Sequence, residues 1–343
     1  MTASTRAVHI DALRGLAVLL MVLVHAAATW EPSLAGGFLL LGVVVSAGGG
    51  LAAPLFVALL GWGLAQRTLT VRQRCWRAGC LMTCQVIVNV NAPHLFKPFT
   101  PGVLSLLGLA ILTEPWWGRP FRSRDRAVRR FTATFVAVIV LSVLTESLQG
   151  PSDWMRRVAY DSFPVWVNHS VFTGLYPFFP WIVFACFGMT VARLSMSQRR
   201  TFFRNITAIG MATSVAVLVQ SQLTDQPWAL PTGEASLTFF PANAPFLIAA
   251  MTGVAMLWWV AERVESTIVA LSHAGRASLT VYVLHFIPFA LFHESDTVHG
   301  WSPTLTGAVV VVYTTGWIVL GTWLARRVPH LTIESWMKRR EPS

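Results

Sequence analysis

Uninterrupted apolar stretches of about 18 to 22 residues, parted by short polar turns, run through the chain at the length an α-helix needs to cross ~30 Å of hydrocarbon. They place spans at 10–29, 49–66, 76–93, 101–117, 131–149, 175–193, 204–222, 243–262, 277–294 and 304–325. None alternates with period two, so a membrane β-barrel is excluded. The stretch from Gly36 to Ala47 is short and broken by glycine, and is expected to be a re-entrant or interfacial piece. The fold class that follows is all-α: a polytopic membrane bundle of about ten transmembrane helices, forming one domain over residues 1–343.

Composition agrees. Apolar residues make up 54% and charged residues only 12%, with a mean hydropathy of +0.57. A soluble fold of this size needs about a quarter of its residues charged. The 15 Trp and 21 Phe suit the water–bilayer boundary. The net charge of +11 changes the picture only through its placement. With the N-terminus inside, 22 of the 26 Lys and Arg fall in inside segments, while only Lys97, Arg156 and Arg157 fall outside and Arg14 lies within a span. That asymmetry puts both termini in the cytoplasm. It also removes nucleic acid as a partner, since the basic residues form neither a domain nor a stacking platform.

The opening segment resembles a signal peptide in having Arg6 before an apolar run and Ala26-Ala27-Ala28 after it. Asp11 and Arg14 charge the entrance of that run, so it is expected to be a retained span. Cys75, Cys80, Cys84 and Cys186 lack zinc-site spacing and are read as packing residues without a disulfide. The scattered histidines imply no metal.

The first span carries the candidate chemistry. Asp11 and Arg14 are i,i+3 neighbours able to pair. Arg14 and His25 lie eleven residues apart, so one helix face holds both, about 16 Å from each other. Ionisable groups inside a membrane helix are costly unless paired or wetted, which marks them for function. On the ninth span Ser278, Tyr282 and His285 follow i, i+4, i+7 and form one polar stripe, for a substrate or for an interhelical seam. The outside loop from Gly150 to Gly174 carries Asp153, Trp154, Asp161, Trp166, Asn168 and His169, where an acceptor on that side would be recognised.

The pattern Arg6-x4-Asp11-x2-Arg14-Gly15-x9-His25 resembles the opening signature of the transmembrane acyltransferase superfamily. That group includes acyltransferase family three and the heparan-α-glucosaminide N-acetyltransferase-like proteins. Ala53-Pro54-Leu55-Phe56-Val57-x3-Gly61-x2-Leu64-x2-Arg67 is similar to the second span and the arginine-rich turn after it. Pro101-Gly102-Val103-Leu104-x2-Leu107-Gly108, Tyr176-Pro177-x2-Pro180-Trp181-x6-Gly188 and Gly275-Arg276-Ala277-Ser278-Leu279-x2-Tyr282-x2-His285 resemble later blocks in the same order. In the heparan branch the position matching His25 is often asparagine, with the catalytic histidine in the following loop. Here residues 26–50 hold no histidine, so N- and O-acylation both stay open.

The resemblance implies acyl transfer from a cytoplasmic acyl-CoA, with acetyl-CoA expected, to a sugar or glycan hydroxyl or amine on the far side. Acyl-CoA is then a co-substrate, and no tightly bound cofactor is implied. Arg67, Arg72, Arg74 and Arg77 would hold its phosphates by charge-assisted hydrogen bonds. The pantetheine arm would run along the Arg14–His25 face, His25 would act as general base or acyl carrier, and Asp11 would orient or neutralise Arg14. Ser278, Tyr282 and His285 would contact substrate. The implied setting is a bacterial plasma membrane, with the lipid bilayer as partner and a homo-oligomer left open. The competing class is a transporter or exporter without covalent chemistry. It calls for ion-coupling acidic residues near the midplane, whereas the acidic residues here sit in loops or at span ends.

Overall fold

The computed structural model describes residues 7–34, 36–264 and 268–343; Arg6 of the opening signature lies outside them. The protein is 76% helical. Six helices are long and apolar enough to cross a bilayer, or eight if each of two bent pairs is one span, against the ten expected. The long ones are α1 (Val8–Trp30), α2 (Leu39–Gln66, entered through a 3-10 turn at Gly36–Phe38), α5 (Ala127–Leu144), α9 (Met196–Leu223), α10 (Ala244–Arg263) and α15 (Pro303–Arg327). Between these run α3 (Val71–Asn91), α4 (Val103–Trp117), the short α6 (Trp154–Val158) and α7 (Phe163–Asn168), and α8 (Phe178–Arg193). The later short helices are α11 (Val269–Gly275), α12 (Ser278–Leu284), α13 (Ile287–Phe292), α14 (Ser295–Val298) and α16 (Ile333–Arg339).

Two expectations change. The stretch Gly36 to Ala47 is not re-entrant but the first part of α2, continuous with the span expected at 49–66. Its glycines serve packing: a Cβ on Gly48 would stand 3.2 Å from Leu20 of α1. The span expected at 277–294 is instead broken into α12 and α13. Pro288 has no N–H to offer the carbonyl of Leu284, so α12 ends there and α13 restarts with the proline in its first turn. The loop 224–242 holds two four-residue strands, β1 (Ala229–Thr232) and β2 (Leu237–Phe240), paired in parallel.

The chain forms two compact units. The first comprises the chain up to Phe56, residues 91–95 and Leu257–Arg340. Here α1 and α11 touch backbone to backbone. A Cβ on Gly15 would lie 2.1 Å from the Leu271 carbonyl oxygen, and one on Gly275 would lie 1.8 Å from that of Asp11. Small residues permit this approach, the usual way membrane helices associate where no hydrophobic force separates protein from lipid. Helix α16 docks by reciprocal capping. Glu334 accepts from the N–H of Leu279 (2.7 Å) and from the Thr280 hydroxyl (2.6 Å), and that hydroxyl accepts from the N–H of Ile333 (2.8 Å). Burial raises the Glu334 pKa, and these donors partly offset the rise.

The second unit comprises Val57–Val90, Phe96–Met256 and Glu341–Ser343. Helix α8 is its buried centre, surrounded by Phe131, Phe202, Phe203, Phe239 and Phe246. Arg157 is 1% exposed yet, among the described residues, meets no carboxylate. It donates instead to the carbonyl oxygens of Gln149, Gly150, Pro151, Thr173 and Gly174, pinning both ends of the 149–174 segment. Burial pushes this guanidinium down to about 10.

Candidate active site

Helix α1 exposes little of itself because it is wrapped by α11, α12 and α15 within the first unit. Its polar residues therefore meet protein. Asp11, 2% exposed, accepts from Arg14 one turn on at 3.1 Å, and Arg276 at the end of α11 stands 3.7 Å from its other oxygen. Two half-exposed guanidiniums on one buried carboxylate leave the entrance of α1 with net positive charge. In the sequence Arg276 is one position of the block 275–285 and carries no signal of its own. Its part here follows from the close approach of α1 and α11, which no spacing along the chain reveals.

At the other end of the same face His25 meets His285. The two residues are 260 positions apart, and His25 Nδ1 lies 3.0 Å from His285 Nε2, with the rings stacked at 11°. Both are buried, His285 completely. The tautomers follow from the partners. His285 Nδ1 faces the carbonyl of Val281 at 3.2 Å, so this nitrogen carries the proton and Nε2 is an acceptor. His25 Nδ1 must then be the donor, which makes His25 Nε2 the basic atom. The backbone of His285 is held in turn, since its carbonyl accepts from the hydroxyl of Tyr313 on α15.

Tyr282 stands edge-on to both imidazoles, 6.2 Å from His25 and 5.6 Å from His285, with Phe56 on its far side. Two members of the expected stripe on α12 thus face α1. The third, Ser278, begins α12 almost two turns earlier, and among the described residues no hydrogen bond joins it to the imidazoles. A second imidazole pair lies beyond the first. His94 and His293 stack at 4.7 Å and 11°, and His94 Nε2 lies 3.2 Å from the Thr29 hydroxyl. Burial, and then His293, lowers His94 to about 4. Neither is among the candidates the sequence marks: His94 follows the span expected at 76–93 and His293 ends the one expected at 277–294, and no spacing links the two.

The four arginines expected to hold the donor belong to the second unit. Arg67 and Arg72 are exposed. Arg74 donates to the Leu69 carbonyl at 2.7 Å, and its Nε is buried with no hydrogen-bond partner among the described residues. Arg77 is engaged by the C-terminal tail: its Nε and Nη2 fork onto both carboxylate oxygens of Glu341, at 2.6 and 3.0 Å. Gln73 holds the next residue through the carbonyl of Pro342. All four cysteines are free thiols. Among the described residues no cluster of His, Cys, Asp or Glu is arranged to hold a metal.

A buried neutral imidazole pair, one member oriented by backbone and the other presenting a basic nitrogen, is suited to proton transfer. Against known proteins, a family model described as an acyltransferase domain matches residues 8–324, which takes in α1, both histidines of the buried pair and α15. A search of the curated proteins gives no match.

Proposed function

Since the chain belongs to acyltransferase family three, we propose that it moves an acyl group, acetyl foremost, from a cytoplasmic acyl-CoA to a hydroxyl or amine of a sugar or glycan outside. The observation that carries the reading is the 3.0 Å contact between His25 Nδ1 and His285 Nε2. In this mechanism His25 Nε2 takes the proton from the acceptor O–H or N–H as its heteroatom attacks the thioester carbonyl carbon. The C–S bond then breaks, and the departing thiolate receives that proton from His25 Nε2–H. His285 accepts the His25 Nδ1–H bond throughout and holds the ring in the working tautomer, the service a carboxylate performs in the Ser-His-Asp arrangement. A neutral acceptor stabilises the transient imidazolium less than a carboxylate would, but in a dry site it adds no second buried charge.

Arg14 and Arg276, sharing Asp11, give the entrance of α1 the positive charge that an anionic donor requires. The family resemblance is what proposes Arg67, Arg72, Arg74 and Arg77 as further cations for its phosphates, Arg77 being paired here with Glu341. The setting would be a bacterial plasma membrane.

The test is acetyl-CoA binding and slow release of CoA by the purified protein in detergent or liposomes, comparing wild type, His25→Ala and Arg14→Ala. The expected result is saturable binding, weakened in Arg14→Ala, with release abolished in His25→Ala. Folded protein that binds no acyl-CoA of any chain length would overturn the donor assignment.

A further inference from the structure

A second site with recognisable chemistry lies within the second unit, where the connection between α3 and α4 meets the 158–166 segment. It is a cavity of about 550 Å³, lined by Gln85, Asn89, Phe99, Tyr160, Asp161 and Trp166 among others. That volume falls in the ~300–1,000 Å³ range of small-molecule sites. The walls are fixed before any ligand arrives. Gln85 donates to Asn89 at 2.9 Å and accepts from the N–H of Leu104, while Asn89 donates to the carbonyls of Pro98 and Thr100. Thr100 is tied to the carbonyl of Val158, and the Trp166 indole donates to the carbonyl of Phe99. Arg157, next to Val158, anchors the segment from below through its five carbonyls.

Two polar groups in this cavity are not consumed by the scaffold. The Tyr160 hydroxyl accepts from the N–H of Phe99 at 3.1 Å, so its own proton is left for a ligand acceptor. Asp161 is exposed and, among the described residues, forms no hydrogen bond or ion pair; its charge acts on His169, and its oxygens remain able to take ligand hydroxyls or an ammonium. Beside them stand open aromatic faces: Phe99 is 57% and Phe163 74% exposed, and Phe163 is stacked with Trp166 at 12°. These line a cavity together with a carboxylate and a phenol, a pairing that suits a ring with an apolar C–H face and hydroxyls on its edge. The carboxylate disfavours an anionic ligand.

We infer that this cavity binds a neutral or amino-substituted pyranose ring, with Asp161 and Tyr160 taking its hydroxyls and Phe99, Phe163 and Trp166 its C–H face. The inference rests on the acyl-transfer reading only for the role of that sugar as acceptor; binding itself is tested without turnover. The full chain in lipid nanodiscs would be titrated with methyl β-glucopyranoside and its 2-amino analogue by saturation-transfer NMR, with cyclohexylmethanol, which keeps one exocyclic hydroxyl and none on the ring, as the comparison. Saturable signal from a pyranoside, with Kd raised about tenfold in Asp161→Asn, is expected from the loss of one charge-assisted hydrogen bond. Tyr160→Phe should weaken binding as well, with the apolar ring giving no comparable signal. No saturable pyranoside signal, equal affinity in both variants, or equal binding of cyclohexylmethanol would overturn the assignment. Acetyl-CoA binding by the same preparation separates the two readings. Donor binding without pyranoside binding removes the cavity assignment alone; pyranoside binding without donor binding leaves the cavity standing and removes the donor.

Discussion

His25 Nδ1 stands 3.0 Å from His285 Nε2, and the pair makes an asymmetric demand on its two members. Removing the base in His25→Ala should lower turnover by the ~10²–10⁴-fold typical of general-base loss. His285→Ala should lower it less, by about 10²-fold, because the base survives in the wrong orientation. His285→Gln, whose amide oxygen can still accept from Nδ1–H, should recover part of that loss. Donor binding unchanged across the series, beside turnover that changes, is the signature of a positioning role; parallel loss of both would mean plain unfolding. His94 gives a second residue-scale expectation. Its pKa is lowered from 6.5 to about 4 by burial and then by His293, whose own ring lies 3.6 Å from Glu294. The unfolded chain then binds more protons between those values, so this contribution to stability is intact above about pH 6.5 and declines as pH falls toward 4. Thermal unfolding in detergent should therefore weaken over that interval, and His94→Gln, which keeps a polar partner for Thr29, should flatten the slope.

At the scale of elements, the α1–α11 contact is where a small change has a large effect. A methyl group on Gly15 would meet a backbone carbonyl at 2.1 Å, which cannot be relieved by a side-chain rotation. Gly15→Ala is expected to part the helices and destabilise the protein by about 1–3 kcal/mol, read as a lower apparent Tm and weaker donor binding through Arg276 and Arg14. Gly79→Ala on α3 is the control: nothing lies within 4 Å of its added Cβ, and the helix should be unchanged or slightly firmer. The same scale shows where the apolar pattern misleads. A glycine-rich run such as 42–50 looks too weak to persist as helix, yet α2 passes through it because contact with Leu20 and Val24 compensates. The run 277–294 looks continuous, yet Pro288 divides it, since hydropathy carries no record of which carbonyl loses its donor.

For the whole molecule, the charge asymmetry makes a directional claim that a native residue can report. Cys75 is exposed in the arginine-rich start of α3, while Cys84 and Cys186 are buried. A membrane-impermeant maleimide should label Cys75 in inside-out vesicles and leave it unmodified in intact spheroplasts. A cysteine placed in the opposite segment by Ser152→Cys should behave in reverse. Labelling of Cys75 from outside would invert the topology and with it the side from which the donor arrives.

The apolar runs and the acyltransferase signature were legible in the chain because both are local. A span announces itself by length and composition, and Arg14 and His25 share a face by the geometry of a single helix. The stripe of Tyr282 and His285 was legible for the same reason, though not what it would face. Everything that makes these residues a site is long-range. The meeting of His25 with His285, the sharing of Asp11 by Arg14 and Arg276, and the hold of Glu341 on Arg77 each join positions that no period connects. Only tertiary structure decides such contacts, because they depend on which helices approach closely enough for a glycine to matter and on which buried polar group is left in need of a partner.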